Sequence, residues 1–246
     1  LFFLPILILS SFLSSIILVK CLIAIMSKFN IVDKPSDRRV HSKTTPRGGG
    51  LALVIIFCLL LPTFEYVCLG ELYNSRKIIL IFAPIALISF LDDIVEVPVL
   101  FRLLIHTICS VLAVMWLIHP HKILHSGLSL HVDLFIGSFA LLTFLNVYNF
   151  LDGIDGITVS ESIHLSLVIL ILCFIKYDII PNVWTIITVA SIILGWSCGF
   201  ILFNWQPASI FIGDVGSISL GFILGICLLT VASGSDADWC AHGRGG

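Results

Sequence analysis

Eight apolar runs, most of them near the length needed to cross a bilayer, leave this chain only short intervals in which to place polar groups. A crossing helix takes about 20 apolar residues, and runs of that kind fall near residues 4–26, 51–69, 78–91, 103–118, 132–148, 163–175, 183–203 and 218–231. The runs at 78–91 and 163–175 are short and must borrow residues from their flanks. Only 11% of residues are charged and 59% are hydrophobic, with a mean hydropathy of +1.14; a soluble domain carries about a quarter charged residues. The expected fold is all-α: a polytopic transmembrane helix bundle of about eight spans, forming one integral domain over residues 1–233. The end at 234–246, GSDADWCAHGRGG, lacks helical periodicity and is expected to be irregular.

Orientation follows from charge. The first run has no basic segment before it and no small-residue cleavage site, so it is read as a span rather than a removed signal. Six of the 13 basic residues fall between Lys28 and Arg47, which places that interval in the cytoplasm and the amino terminus outside. Alternating spans then put the loops around Asp92, Asp152 and 204–214 on the same cytoplasmic face. The opposite intervals at 65–77, 119–131 and 176–181 read as ordinary solvated connectors.

Four polar islands therefore converge: DKPSDRRVHSKTTPRGGG (33–50), LDDI (91–94), NVYNFLDGIDG (146–156) and NWQPASIFIGDVGS (204–217). Charged groups at a membrane boundary are costly and usually functional. Asp92 and Asp93 are adjacent, about 100° apart on a helix, and need a helix break to face one ion; oxygen ligands of that kind suit magnesium. They also suit a plain solvated helix end. Asn149, Asp152 and Asp155 recur at spacing three, so one helical turn would align them. That run lacks the distal glutamate of a calcium loop. Asp214 precedes an apolar run, where an acid is equally at home as a helix cap. Three glycines in TPRGGG offer backbone N–H groups to an anion, or act as a hinge, beside Lys43, Arg47 and the Arg38–Arg39 pair. Those bases could also anchor to the inner leaflet.

Other features carry less. Cys21, Cys58, Cys109, Cys173, Cys198 and Cys227 lie inside apolar runs without a CxxC pair, which reads as small packing residues rather than disulfides. His119, His121, His125 and His131 sit on the face away from the acids and read as a surface loop. His106 stands one turn past Arg102 and either faces the site or sits satisfied in the core. Thirteen basic against 15 acidic residues leave no basic patch for nucleic acid.

With these stretches in view, the chain resembles the polyprenyl-phosphate N-acetylhexosamine-1-phosphate transferases, a membrane family that includes the bacterial enzymes starting O-antigen and teichoic acid synthesis, with the phospho-MurNAc-pentapeptide transferase as a cousin. The four islands match the family's motifs in order between Asp33 and Gly225. The resemblance implies that Asp214, with Asp92, ligates Mg2+ or Mn2+, and that Asp92 and Asp93 are catalytic, serving the cation or the lipid phosphate. It implies that Asn149, Asp152 and Asp155 line a nucleotide-sugar site, that Asn204 and Phe211 hold the uridine part, and that Lys43, Arg47, Gly48 and Gly49 contact phosphate. The RRVHS stretch and Arg102 look more like the O-antigen branch. The family's basic residue after the paired aspartates is replaced in VEVPVL, leaving Arg102 as the nearest cation. The family also continues into further spans and a histidine-rich loop, so the chain reads as truncated after Val231.

The implied reaction moves a sugar 1-phosphate from a UDP-N-acetylhexosamine to undecaprenyl phosphate, releasing UMP, at the cytoplasmic face of the bacterial inner membrane. The partners are those two substrates and the bilayer. Rival readings are a phospho-MurNAc-pentapeptide transferase-like enzyme, a cation-coupled transporter with intramembrane acids, and an inactive fragment.

Overall fold

The computed structural model describes residues 3–33, 44–70, 72–118 and 129–234. Among these, eight helices follow in order: α1 (Phe3–Lys28), α2 (Leu51–Leu69), α3 (Tyr73–Ile94), α4 (Val99–Ala113), α5 (Leu130–Leu151), α6 (Ile157–Ile175), α7 (Val183–Asn204) and α8 (Asp214–Gly234). α4 continues through a π-helical turn at Val114–Ile118. Strands β1 (Val32–Asp33) and β2 (Thr45–Pro46) pair antiparallel, with Val32 opposite Pro46.

Each apolar run becomes one helix, and the two short runs are completed at their starts, from Tyr73 and from Ile157. Seven helices are long and apolar enough to cross a membrane. α3 is the exception, with Asn74, Arg76 and Lys77 at one end and Asp92 and Asp93 at the other. Lys43, the run 34–42, the histidines at 119, 121 and 125, and the tail beyond Gly234 lie outside the described residues. His131 is exposed. All seven described cysteines are free thiols.

α7 and α8 are buried along most of their length, while α1, α2 and α4 to α6 keep a side bare for lipid. Lipid tails are as apolar as leucine, so such helices associate through close backbone approach and interhelical hydrogen bonds. α7 supplies the approach with Gly195 and Gly199, four residues apart, against α1. A Cβ on Gly195 would stand 2.3 Å from the Ile8 carbonyl oxygen, and one on Gly199 would stand 2.7 Å from that of Phe12. On the facing side the Ser11 hydroxyl donates to Ile192 O at 2.6 Å and the Ser15 hydroxyl to Trp196 O at 3.0 Å. α8 repeats the device against α5. A Cβ on Gly221 would meet Leu145 Cα at 2.8 Å, and one on Gly225 would meet Leu141 Cδ1 at 2.6 Å.

The interval at 65–77 is more than a solvated connector. Glu65 is buried and accepts the backbone N–H groups of Asn74 at 3.1 Å and Ser75 at 2.8 Å, capping the start of α3. Asn74 Nδ2 donates to Thr185 Oγ1 at 3.0 Å, which ties that end of α3 to α7.

Gly195→Leu is expected to separate α1 from α7 and destabilise the bundle by about 1–3 kcal/mol, the usual cost of overpacking. Gly153→Ala, where an added Cβ would meet nothing closer than 3.9 Å, serves as the neutral comparison. Thermal unfolding in detergent checks both; equal melting temperatures would exclude a packing role for Gly195.

Candidate active site

One end of the bundle gathers charged groups from five places: the loop before α2, the last turn of α3, the first turn of α4, the turn after α5 and the start of α8. The expectation that the polar islands share one face is thus realised in geometry. At their centre is Asp214, the first residue of α8. One carboxylate oxygen, Oδ1, accepts from an Arg47 terminal nitrogen at 2.5 Å, and the other, Oδ2, from an Arg102 terminal nitrogen at 3.3 Å.

The neighbouring aspartates diverge, as adjacent helical residues must. Asp93, with its side chain only 1% exposed, takes Arg47 Nε on Oδ1 at 2.9 Å. It also accepts the backbone N–H groups of Asp214 at 2.9 Å and Val215 at 3.0 Å. Those amides open α8 and have no carbonyl within the helix to bond, so a side chain from α3 caps α8. The cap demands glycine at 213. Its φ is +74°, and a Cβ there would come within 2.6 Å of an Asp93 oxygen. Asp92 points the other way: Oδ1 accepts the Val97 N–H at 2.9 Å, closing the turn into α4, and Oδ2 contacts Arg102. Arg102 therefore links Asp92 to Asp214.

Asp152 lies just past α5 within the electrostatic reach of Asp214, Arg47 and Asp93. Loss of water around its carboxyl pushes the pKa up to about 8; the Thr158 hydroxyl opposes this, Asp214 adds to it, Arg47 opposes it and Asp93 adds again. With Asp152 keeping its proton, Asp92, Asp93 and Asp214 still outnumber the guanidiniums of Arg47 and Arg102.

The other expected residues stand around this cluster and hold its loops. α5 stops at Leu151, so Asn149, Asp152 and Asp155 do not share one helical face; residues 152–156 form a turn that ends at Gly156, with φ +78°. Gly156 is the reason the helix cannot run on, because left-handed backbone is cheap only for glycine. Asp155 Oδ2 accepts the Ala208 N–H at 3.1 Å. Asn204, 3% exposed, accepts the Gly156 N–H at 3.1 Å and donates Nδ2–H to Ile210 O at 3.0 Å, joining the two loops. Asn149 Oδ1 accepts the Ser217 hydroxyl at 2.5 Å. Two of the three glycines of TPRGGG do not present free amides. Gly49 N–H donates to Phe211 O at 2.9 Å and Gly50 N–H to Ile212 O at 2.8 Å, while Phe211 N–H donates to Pro46 O at 2.8 Å. Gly49 and Gly50 are packing residues: a Cβ on Gly50 would fall 2.1 Å from Gly216 Cα, and one on Gly49 would fall 2.5 Å from the Phe200 ring. Gly48 is buried, with φ +97°.

Arg102 holds a more central place than the four motifs alone suggest. It is the sole cation in the run VLFRLLIHTICSVLA, and an isolated arginine at the head of an apolar span is itself a signal for a buried partner. Ser217 was not singled out, and nothing in its spacing marks it. His106 is 3% exposed, has Arg102 and Asp92 as charged neighbours, and its Nε2 has no hydrogen-bond partner among the described residues.

For a divalent cation the donors are few. Among the described residues no three acidic, histidine or cysteine side chains form a metal cluster, and every Asp93 oxygen is already engaged. Asp92 and Asp214 converge on one Arg102 nitrogen. Two carboxylates fit magnesium, which keeps waters and takes its remaining ligands from substrate phosphates.

Helices of bilayer length, closed at one end by an acid and arginine cluster, make this a multi-pass membrane protein with a half-buried charged site. The chain belongs to glycosyl transferase family 4, whose model matches residues 76–232. It is 27% identical over 232 residues to the phospho-N-acetylmuramoyl-pentapeptide-transferase of Borrelia hermsii (strain HS1 / DAH), covering 82% of this chain and 65% of that relative. The corresponding enzyme of Buchnera aphidicola subsp. Baizongia pistaciae (strain Bp) is 28% identical over 216 residues, 76% of this chain and 63% of the relative. A probable undecaprenyl-phosphate N-acetylglucosaminyl 1-phosphate transferase of Bacillus subtilis (strain 168) is 25% identical over 242 residues, 89% of this chain and 60% of the relative. The chain spans less than two thirds of the length of these relatives.

Removing the interhelical cap by Asp93→Ala is expected to leave two α8 amides and Arg47 short of a partner and to lower stability by about 1–3 kcal/mol, read from thermal unfolding; an unchanged midpoint would show that α8 is capped by other means. The raised pKa of Asp152 has a definite sign. The folded protein keeps this proton up to about 8 whereas the unfolded chain releases it near about 3.9, so stability falls as pH rises through that window. Without divalent cation, Asp152→Asn is expected to flatten that fall between pH 5 and pH 8, and parallel stability curves for the two proteins would contradict it.

Proposed function

We propose that the chain transfers a sugar 1-phosphate from a UDP-N-acetylhexosamine to undecaprenyl phosphate, forming the undecaprenyl-diphosphate sugar and UMP, at the cytoplasmic face of a bacterial inner membrane. The single observation that carries this reading is Asp214, set by Arg47 and Arg102 at the start of α8 beside Asp92, Asp93 and Asp152, in a chain of this family.

In chemical terms an oxygen of the lipid phosphate attacks the sugar-bearing phosphorus of the donor, and the bond from that phosphorus to the oxygen bridging to UMP breaks. Phosphoryl transfer asks mainly for positioning and charge neutralisation. Arg47 and Arg102 supply fixed positive charge, and Arg102 reaches two acids at once. Mg2+, held by Asp92 and Asp214, would neutralise the diphosphate oxygens and so ease departure of UMP. Asp152 lines the same end. A general base is unnecessary, because a phosphate monoester has its second pKa near about 6 and is largely dianionic at neutral pH. Asp93 accordingly reads as the residue that positions Asp214 rather than one that takes a proton. Asn204 and Asp155 hold the loops on which a uridine would rest, in keeping with their implied place in the donor site.

Two alternatives differ in chemistry. A MurNAc-pentapeptide donor is favoured by the names of the Borrelia and Buchnera relatives. Cation-coupled transport is disfavoured because the acids stand at helix ends rather than at mid-depth.

Membranes carrying the full chain, supplied with undecaprenyl phosphate, Mg2+ and a panel of UDP-N-acetylhexosamines that includes UDP-MurNAc-pentapeptide, are expected to release UMP with one donor. Asp214→Asn is expected to lower turnover by about 10²–10³-fold, the scale of removing one fixed electrostatic group, while leaving membrane insertion intact. UMP release unaffected by Asp214→Asn would remove that residue from the site, and no release with any donor would overturn the transferase reading.

A further inference from the structure

The end of α3 away from the acid and arginine cluster carries charge of the other sign. Where α2 gives way to α3 lies a cavity of about 460 Å3, lined by Tyr66, Gly70, Leu72, Tyr73, Arg76 and Lys77. Gly70 closes α2 with its N–H on Tyr66 O at 2.9 Å. At φ +71° it also leaves the space beside it open, since a Cβ there would meet nothing within 4 Å. Lys77 is fixed at the cavity: its ammonium donates to the Tyr73 hydroxyl oxygen at 2.7 Å and stands 3.9 Å from the centre of that ring. Arg76 is exposed and forms no ion pair among the described residues. Glu65 faces the amides of Asn74 and Ser75 instead, and Glu71 lies outside the described residues.

Donors crowd this cavity and acceptors do not. An ammonium and a guanidinium bring only N–H donors, and among the described residues the cavity engages one of them, on Tyr73. The matching ligand is an anion, and phosphate oxygens suit both cations. Placement narrows its source. Lys and Arg are depleted on the outer side of a bilayer, yet two stand side by side at the end of α3 that the charge-based orientation puts outside. Tyr66 and Tyr73 are exposed beside them, as aromatic rings are at headgroup depth. From there apolar walls lead inward. Leu59 lies two turns before Tyr66 and Leu80 one turn after Arg76, each on the same helix face, and both are exposed. A free phosphate or a nucleotide would leave those walls bare, whereas a diacyl lipid covers them. A choline head would bring a further positive charge to two that already lack a counterion.

We infer that the cavity between the end of α2 and the start of α3 seats the headgroup of an anionic phospholipid, with its phosphate on Arg76 and Lys77 and its acyl chains along Leu59 and Leu80. This site is separate from the reaction proposed above and lies at the other end of α3. Among the eight described helices α3 is the one that falls short of a span, because it is charged at both ends. A lipid anion on Arg76 and Lys77 neutralises one of those ends. It also adds to the Glu65 cap in holding α3, and with it Asp92 and Asp93, at a fixed depth.

The test places the full chain in phosphatidylcholine nanodiscs containing a minor fraction of phosphatidylglycerol with a diazirine on its headgroup glycerol. After irradiation and digestion, adducts are expected on peptides covering residues 66–77, and phosphatidylcholine with a diazirine on its headgroup should not concentrate there. Arg76→Gln and, independently, Lys77→Gln should each lower the adducts by about fivefold, the worth of one base beside an anionic lipid. Arg76→Lys should retain them. Lys176→Gln, which removes a base at the end of α6 and outside the cavity, should leave them unchanged. Excess inorganic phosphate should not compete, because it has no chains for Leu59 and Leu80. The proposal is overturned if the two lipids label residues 66–77 alike, if inorganic phosphate removes the adducts, or if Lys176→Gln lowers them as much as the cavity variants do. It is overturned equally if neither Arg76→Gln nor Lys77→Gln lowers labelling while both keep the wild-type melting temperature.

Discussion

The amides that open α8 are satisfied by a carboxylate from another helix, and most of the site follows from that one contact. Because Asp93 accepts from Asp214 and Val215, the end of α3 and the start of α8 cannot slide past each other. In a bilayer, where apolar helix faces slip against one another at little cost, a polar contact at a helix end fixes depth as no leucine contact can. The opposite end of α3 is pinned in the same manner, by Glu65 on the amides of Asn74 and Ser75. One helix is thus held at both ends by buried carboxylates. Gly213 and Gly50 then bring their backbones within reach, and Arg47 is carried to Asp93 and Asp214 by the strand-like pairing of residues 46–50 with 211–212.

The charge balance gives each acid a separate task. Asp93 is spent: its oxygens face two amides and one guanidinium, so it orders the site and has nothing left for a ligand. Asp92 and Asp214 each keep an arginine, a partner that another cation can replace or share. The raised pKa of Asp152 comes first from loss of water around its carboxyl, with Asp214 and Asp93 adding to it.

Much of this was legible in the sequence, for reasons that differ from residue to residue. The helices were legible because a bilayer imposes a length, and parity alone brought Arg47, Asp92, Asp152 and Asp214 to one face. The alignment of Asn149, Asp152 and Asp155 on a helix was not, because spacing three describes a turn as well as a helix and Gly156 decides between them only through its backbone angle. The triple glycine looked like an anion cradle. The amides of Gly49 and Gly50 are consumed by carbonyls of a loop more than 160 residues away in sequence, a pairing that no local pattern announces. The same holds for Gly195 with Ser11 and for Asn204 with Gly156: each half is visible, and the partner is not.

The pairing of two acids at the end of α3 is locally unfavourable, since the carboxyl end of a helix already carries partial negative charge and each added anion costs about 0.3–1 kcal/mol. A fold selected only for stability would place lysine there. The cost is offset from outside α3, by the positive end of α8, which faces Asp93, and by Arg47 and Arg102. Stability therefore accounts for Asp93 once α8 is in place. Asparagine could supply the turn-closing bond of Asp92 to Val97, so what the charge of Asp92 adds is its ion pair with Arg102. Through Arg102 that charge is coupled to Asp214, and under the proposed function this pair of carboxylates is where a divalent cation would sit.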